Sequence, residues 1–229
     1  MNNSNKKLQE VCTINSRKEI GFPNDPTEWR DSPAHFSADG STLNILGHPV
    51  MESWEEPYME KLAKIATSNG GKILELGFGL GISASYIQKN EISEHVIIEA
   101  NREVSVKAQD FANNSRFPTR VLEGLWQDVI HDIPSGYFNG ILFDTYPLDI
   151  HEVHCQHFSF FEHAFRVLST GGVFTYYSDE IIDFSPKHIA ALNKAGFTEI
   201  KSEICSVNPP DDCLYWTSKS ILAPIITKL

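Results

Sequence analysis

An acid and three glycines at fixed spacing come first: Glu75-Leu-Gly77-Phe-Gly79-Leu-Gly81 follows a short apolar run and opens a helical pattern. A second acid, Glu99, closes the next apolar run 22 residues beyond Gly77. Glycines between a strand and a helix let the chain turn tightly and bring its backbone close to a ligand. An acid at the end of the following strand can accept both hydroxyls of a ribose. Two cofactors fit this much. A nicotinamide dinucleotide uses GxGxxG, but here the third glycine arrives one residue early and Ile82 holds its place. The ExGxGxG form suits S-adenosylmethionine, which has no pyrophosphate to seat. A tight turn with no ligand is the bland alternative, and it leaves Glu99 unexplained.

The elements that must position these residues alternate. A helix is expected over residues 57–67, where Tyr58, Leu62, Ile65 and Ala66 recur at helical spacing before Asn69, Gly70 and Gly71. Strands are expected at 73–76, 96–99, 120–122, 140–143 and 173–177, with helices at 85–89, 102–111, 158–168 and 186–195. Two late strands, near 197–204 and 214–220, flank the Pro209-Pro210 loop. The pattern predicts a doubly wound, mainly parallel α/β sheet ending in an antiparallel pair. Residues 1–20 are polar and weakly patterned, so a mobile tail is expected there and a single domain over 21–229. Pro23, Pro26 and Pro33 mark the start of that domain as irregular, with short helical turns.

Composition narrows the class. The chain has 229 residues and a formal net charge of -11. That balance argues against nucleic acid or an anionic membrane as main partner. No apolar run is long enough to span a bilayer. No secretory signal is evident, and the four cysteines form no CxxC pair. Both features predict free thiols and a cytoplasmic location. His151, His154 and His157 recur at a spacing of three, which is not the i, i+4 pair of HExxH, so no metal is expected. Cys155 has no activating partner in sequence.

Five separated segments are more specific: Met51-Glu-Ser-Trp-Glu-Glu-Pro-Tyr-Met59, Glu75-Leu-Gly-Phe-Gly79, Gly124-Leu-Trp126, Gly140-Ile-Leu-Phe-Asp-Thr-Tyr-Pro-Leu148 and His163-Ala-Phe-Arg166. In this order they resemble the guanidinoacetate N-methyltransferase family, from about Trp29 to Ala223-Pro-Ile-Ile-Thr-Lys228. The resemblance implies a seven-stranded S-adenosylmethionine-dependent methyltransferase fold, with an N-terminal segment closing over the active site. It places cofactor contacts on Trp29, Met59, Gly77 and Gly79, and on the turn of Leu80, Gly81, Ile82, Ser83, Ala84 and Ser85. Glu99, Asn101, Trp126, Gln127 and Asp144 complete that set. It places a small guanidino substrate on Met51, Glu55 and Asp144, and the family's carboxylate-binding position on Asp179 and Glu180.

The chemistry that follows is methyl transfer to a guanidino nitrogen. A guanidinium is planar, cationic and a poor nucleophile, and two carboxylates can offset its charge and fix its plane. Glu55 and Asp144 are the candidate catalytic pair, with Asp144 as proton acceptor. An arginine- or agmatine-like guanidine is the alternative acceptor. Protein arginine methyltransferases resemble the cofactor site but carry a C-terminal barrel for which this chain is expected to be too short. A non-catalytic cofactor-binding partner subunit and a nicotinamide oxidoreductase are the remaining readings. The assembly is expected to be a monomer or homodimer.

Overall fold

The computed structural model describes Phe22, Pro23 and residues 25–229; the tail expected over residues 1–20 lies outside them. A short helix, α1 (Pro26–Asp31), starts with Pro26 in its first turn and Asp25 as its cap, the Asp25 side chain accepting from Thr27 N. Three short strands follow, β1 (Ala34–Phe36), β2 (Thr42–Ile45) and β3 (His48–Glu52), paired in an antiparallel sheet. This stretch was expected to be irregular. Strands of three to five residues are too short to register a period of two in sequence. A 3-10 turn, Ser53–Glu55, leads into α2 (Glu56–Ala66), whose Tyr58, Met59, Leu62, Ala63 and Ala66 are fully buried.

The main sheet begins at β4 (Lys72–Leu76). Then come α3 (Ile82–Ile87), β5 (Glu94–Glu99), α4 (Arg102–Asn113), β6 (Thr119–Glu123) and α5 (Trp126–Val129). β7 (Phe138–Phe143), α6 (Gln156–Val167), β8 (Leu168–Tyr176), α7 (Pro186–Ala195), β9 (Glu199–Ser206) and β10 (Ser220–Thr227) complete the chain. The seven strands run in the order β6-β5-β4-β7-β8-β10-β9. β6 through β8 are parallel, and β10 is antiparallel to both neighbours. This is the expected doubly wound methyltransferase fold.

Two boundaries move. The last strand is Ser220–Thr227, not 214–220. Pro224 disguises it, since proline removes a ladder donor. It is tolerated because β10 meets β8 only at Ile226 and Thr227. β8 runs back through Gly171 and Gly172 to Leu168, and Gly171 N donates to Lys228 O at 2.7 Å.

The chain reverses its winding at β4, so ligands should gather at the carboxyl ends of β4, β5 and β7. The small sheet is held over that edge by an apolar cluster of Trp29, Leu43, Ile45, Phe78, Ile97, Val104 and Ala108. No helix among the described residues is long and apolar enough to cross a membrane.

Candidate active site

The glycine turn is fixed first by the protein itself. Gly77 has φ 86°, its N–H donates to Ile98 O at 2.9 Å, and a Cβ there would lie 2.0 Å from the Asp144 carbonyl. The ends of β4 and β7 can therefore approach only through a residue without a side chain. A Cβ on Gly79 would meet Met51 Sδ at 2.9 Å. Gly81 caps α3 in the left-handed conformation. Sequence reasoning assigned these glycines to a ligand; their nearest neighbours are the chain's own atoms.

Glu99 comes off the end of β5. Its two oxygens accept from Phe78 N and Asn101 N, each at 2.8 Å. Burial raises its pKa, and backbone N–H groups from the glycine turn and its own loop oppose the rise. A carboxylate has about four acceptor positions, so two hydrogen bonds leave room for a pair of hydroxyls. Asn101 is fully buried and turned away from the cavity. Its Nδ2 donates to Trp29 O and Ser32 O at 2.9 and 2.8 Å, and its Oδ1 caps α4. It locks α1 onto the main sheet. Trp29, so placed, stacks on Tyr146 with ring centroids 4.7 Å apart.

Glu55, Asp144 and Asp179 face the same open cleft. Asp144 follows β7 directly, held by Asp144 N donating to Leu76 O at 2.9 Å. Burial pushes its carboxyl up to about 7, and the Asp179 and Glu75 charges add to the rise. Glu55 is 3 % exposed. Burial and the Asp144 charge push it up to about 8, against the pull of hydrogen bonds from Tyr215 and Glu52 N. Asp179 lies beyond β8 with φ 54°, and its Oδ1 is 3.1 Å from His154 Nδ1. Glu180, its neighbour, points the other way, where its Oε1 accepts from Ser185 N at 3.1 Å and lies 3.4 Å from His188 Nδ1.

The cleft thus brings together Trp29, Met51, Glu55, Gly77, Gly79, Glu99, Trp126, Gln127, Asp144 and Asp179. The other sequence candidates lie outside its lining. Met59 is in the core under α2, and Ala84 is fully buried. Leu80 and Ile82 pack against apolar clusters. Ser83 Oγ donates to the buried Glu75, and Ser85 Oγ donates to Gly81 O at 2.7 Å. Sequence reasoning missed Tyr146, Gln156, Tyr177 and Tyr215 on the cleft wall. Tyr177 carried a signal, since it follows a strand at the ligand-binding edge. Tyr215 carried none. Among the described residues no three His, Cys, Asp or Glu side chains come together as a metal site.

The residues present fit S-adenosylmethionine. Glu99 offers spare acceptors in a buried wall, beside the backbone of Gly77 and Gly79. Apolar Leu43, Ile45 and Val104 with half-buried Trp126 and exposed Gln127 line the same wall, suited to a flat base with a polar edge.

A sequence model of the guanidinoacetate N-methyltransferase family matches residues 23–229. Among curated proteins, protein arginine N-methyltransferase 2 of Yarrowia lipolytica is 28% identical over 172 residues, 71% of this chain and 35% of that one. The Aspergillus oryzae protein of the same name is 30% identical over 142 residues, 61% and 34% of the two chains. The chain spans about a third of the length of these curated relatives, so length does not separate the two methyltransferase readings. Among solved structures, spermidine synthase from Thermotoga maritima aligns with TM-score 0.58 and 15% identity, over 86% of this chain and 72% of that one. M. jannaschii TYW2, solved with AdoMet, aligns with TM-score 0.54 and 11% identity over 86% and 85%. At these identities the likeness is one of fold.

Proposed function

Because the chain belongs to the guanidinoacetate N-methyltransferase family, we propose that it moves a methyl group from S-adenosylmethionine to a guanidino nitrogen of a small molecule, guanidinoacetate or a related guanidine. The observation that carries this reading is the pair Glu55 and Asp144 in one cleft, both pushed up by burial. Two buried acids that would otherwise repel are best satisfied by one planar cation.

The bound cofactor supplies an electrophilic methyl on a sulfonium. Glu99 holds the ribose side of its pocket, and Trp29 and Trp126 wall it. Glu55 and Asp144 each accept a fork of N–H groups and fix the guanidine plane. With the plane fixed, one nitrogen is presented toward the cofactor pocket, and orientation is among the larger contributions an enzyme can make. Asp144, raised to about 7, is poised to take the proton that the nitrogen loses as it is methylated. Glu55 is buried and hydrogen-bonded by the Tyr215 hydroxyl, which fixes the orientation of its carboxylate.

The relatives named for protein arginine methylation share the guanidino group, so the nitrogen acceptor is common to both readings. The test is a methyl-transfer panel of free guanidines and an arginine peptide, followed by mass spectrometry. Methylation of free guanidines that falls at least ~10²-fold in Asp144→Asn is expected. An Asp144→Asn protein that is folded and fully active would remove the mechanism, and methylation of the peptide alone would move the substrate to protein arginine.

A further inference from the structure

Two oxygens on the cleft wall have no partner among the described residues. Tyr177 is 9% exposed, and its buried hydroxyl makes no hydrogen bond there. Its N–H donates to Phe143 O at 3.0 Å, which sets the residue beside the end of β7. Its ring packs edge-on against Tyr58 and Trp216, with centroids 5.2 and 6.3 Å away. Burial first, then the Glu55 and Asp179 charges, hold its phenol well above the ordinary range, so the hydroxyl stays protonated. Gln156 opens α6, and its Nε2 donates to Thr145 O at 3.4 Å. Only the NH2 end of the amide can meet that carbonyl, so the buried Oε1 is the end left over. The two residues reach the cleft from either side of Asp144, one tied to the residue before it and one to the residue after. Buried polar atoms without partners are uncommon, and two on one cleft wall mark a place where a ligand supplies the missing bonds.

The shape of a guanidinium says which bonds those are. A guanidine with one tail is planar and carries five N–H groups in fixed directions. Four of them lie in parallel pairs along two edges of the plane, and each pair fits one carboxylate. The fifth stands alone on the third edge, beside the tail. Glu55 and Asp144 take the two pairs. A lone N–H calls for one neutral acceptor rather than a third fork. A side-chain amide oxygen only accepts, and a protonated phenol can accept through its oxygen.

We propose that Tyr177 and Gln156 are specificity-determining residues whose oxygens take the lone N–H beside the tail, so that the site selects guanidines in which this N–H is free. The inference rests on the guanidine reading above and adds a third contact to its two forks. A guanidine blocked at both nitrogens of the third edge would fill both forks yet leave the two oxygens unpaired in a buried wall. Neither residue takes part in bond making.

The experiment is calorimetric binding with S-adenosylhomocysteine saturating. Ethylguanidine offers both paired edges and the lone N–H. 2-Aminoimidazoline, a cyclic guanidine whose two ring carbons bridge the third edge, keeps both paired edges and lacks the lone N–H. 1,1-Dimethylguanidine, an isomer of ethylguanidine, loses one paired edge. The parent protein should bind ethylguanidine at least ~10-fold tighter than 2-aminoimidazoline. Tyr177→Phe and Gln156→Leu should each narrow that ratio, and the double variant should bring it within about 2-fold. 1,1-Dimethylguanidine should bind more weakly than ethylguanidine in every one of these proteins, because the edge it loses belongs to a carboxylate. Tyr177→Phe keeps the packed ring and removes a hydroxyl that bonds nothing among the described residues, so it should unfold in urea no more easily than the parent. That variant keeps the test open if Gln156→Leu folds poorly. A parent that binds ethylguanidine and 2-aminoimidazoline equally, or a ratio unchanged in Tyr177→Phe, overturns the proposal and leaves the two forks standing. Equal binding of ethylguanidine and 1,1-dimethylguanidine, or binding of none of the three ligands, would overturn the guanidine reading and this inference with it.

Discussion

The Tyr215 hydroxyl donates to Glu55 Oε1 at 2.7 Å, although the two residues lie 160 positions apart. Glu52 N donates to the same oxygen at 2.9 Å. One face of the Glu55 carboxylate is thus occupied by the protein, and the other is left for a ligand. Because Tyr215 stabilises the ionised form, Tyr215→Phe should push Glu55 further up. The kcat/KM profile for a guanidine should then shift to higher pH, with stability changed by no more than about 1 kcal/mol. A profile that does not move in this variant would show that Tyr215 does not tune Glu55.

The parent profile has a definite sign. Glu55 sits at about 8 and Asp144 at about 7, both above the ordinary carboxyl range. A guanidinium needs both ionised, so kcat/KM should rise with pH through that window. Stability of the ligand-free protein should run the other way. Between the ordinary carboxyl range and about 8, the folded state binds more protons at these groups than the unfolded state does. Their contribution is therefore full at acid pH and is lost as pH rises through the folded values. A bound guanidinium should raise Tm by more at pH ~8 than at pH ~6, since the ionised pair is what it meets. Glu55→Gln should flatten both trends. A guanidine-induced Tm shift independent of pH would contradict the assignment of the pair.

The glycines separate folding from binding. Gly77→Ala puts a methyl 2.0 Å from the Asp144 carbonyl, a backbone atom that cannot swing aside. It should cost about 3 kcal/mol or more in urea unfolding, or prevent folding. Gly79→Ala meets the flexible end of Met51 at 2.9 Å with φ 55°. It should cost about 1–2 kcal/mol and still fold. Its effect should appear in cofactor titration, where the cleft wall is changed. Normal stability in Gly77→Ala would refute the close approach of β4 and β7.

The buried parallel strands were legible because both of their faces are covered. Runs such as Val96-Ile97-Ile98 and Ile141-Leu142-Phe143 therefore read as continuous apolar stretches. The sheet of residues 34–52 was not legible, because no strand in it is long enough to show alternation. Within the site, Glu99 and Asp144 were legible from their places at strand ends. Asp179 and Glu180 were named together, and nothing in sequence says which faces the cleft. In the structure Asp179 lines the cleft, while Glu180 is bonded to Ser185 and His188. Asn101 was named for the cofactor, yet every polar atom of its side chain is spent on the protein.

That last difference has a measurable consequence. Asn101 joins three things: the Trp29 and Ser32 carbonyls of the N-terminal segment, the first turn of α4, and Glu99 through its own N–H. Asn101→Ala keeps the N–H to Glu99 but removes the cap and strands two carbonyls. Loss of a cap costs about 1 kcal/mol. Leaving a buried carbonyl without a donor costs about 1–3 kcal/mol. Roughly 2–3 kcal/mol in urea unfolding is therefore expected, since water can reach part of the vacated space. Asn101→Asp keeps the cap and loses only the donors, and it should also loosen α1. If Asn101 acts by position, both variants should weaken cofactor binding in step with the loss of Trp29 packing, read as a red shift and increased quenching of tryptophan fluorescence. A Trp29→Ala protein should then respond little to the further change Asn101→Asp. Full additivity of the two substitutions in cofactor affinity would mean that Asn101 touches the cofactor directly, and the structural assignment would fail.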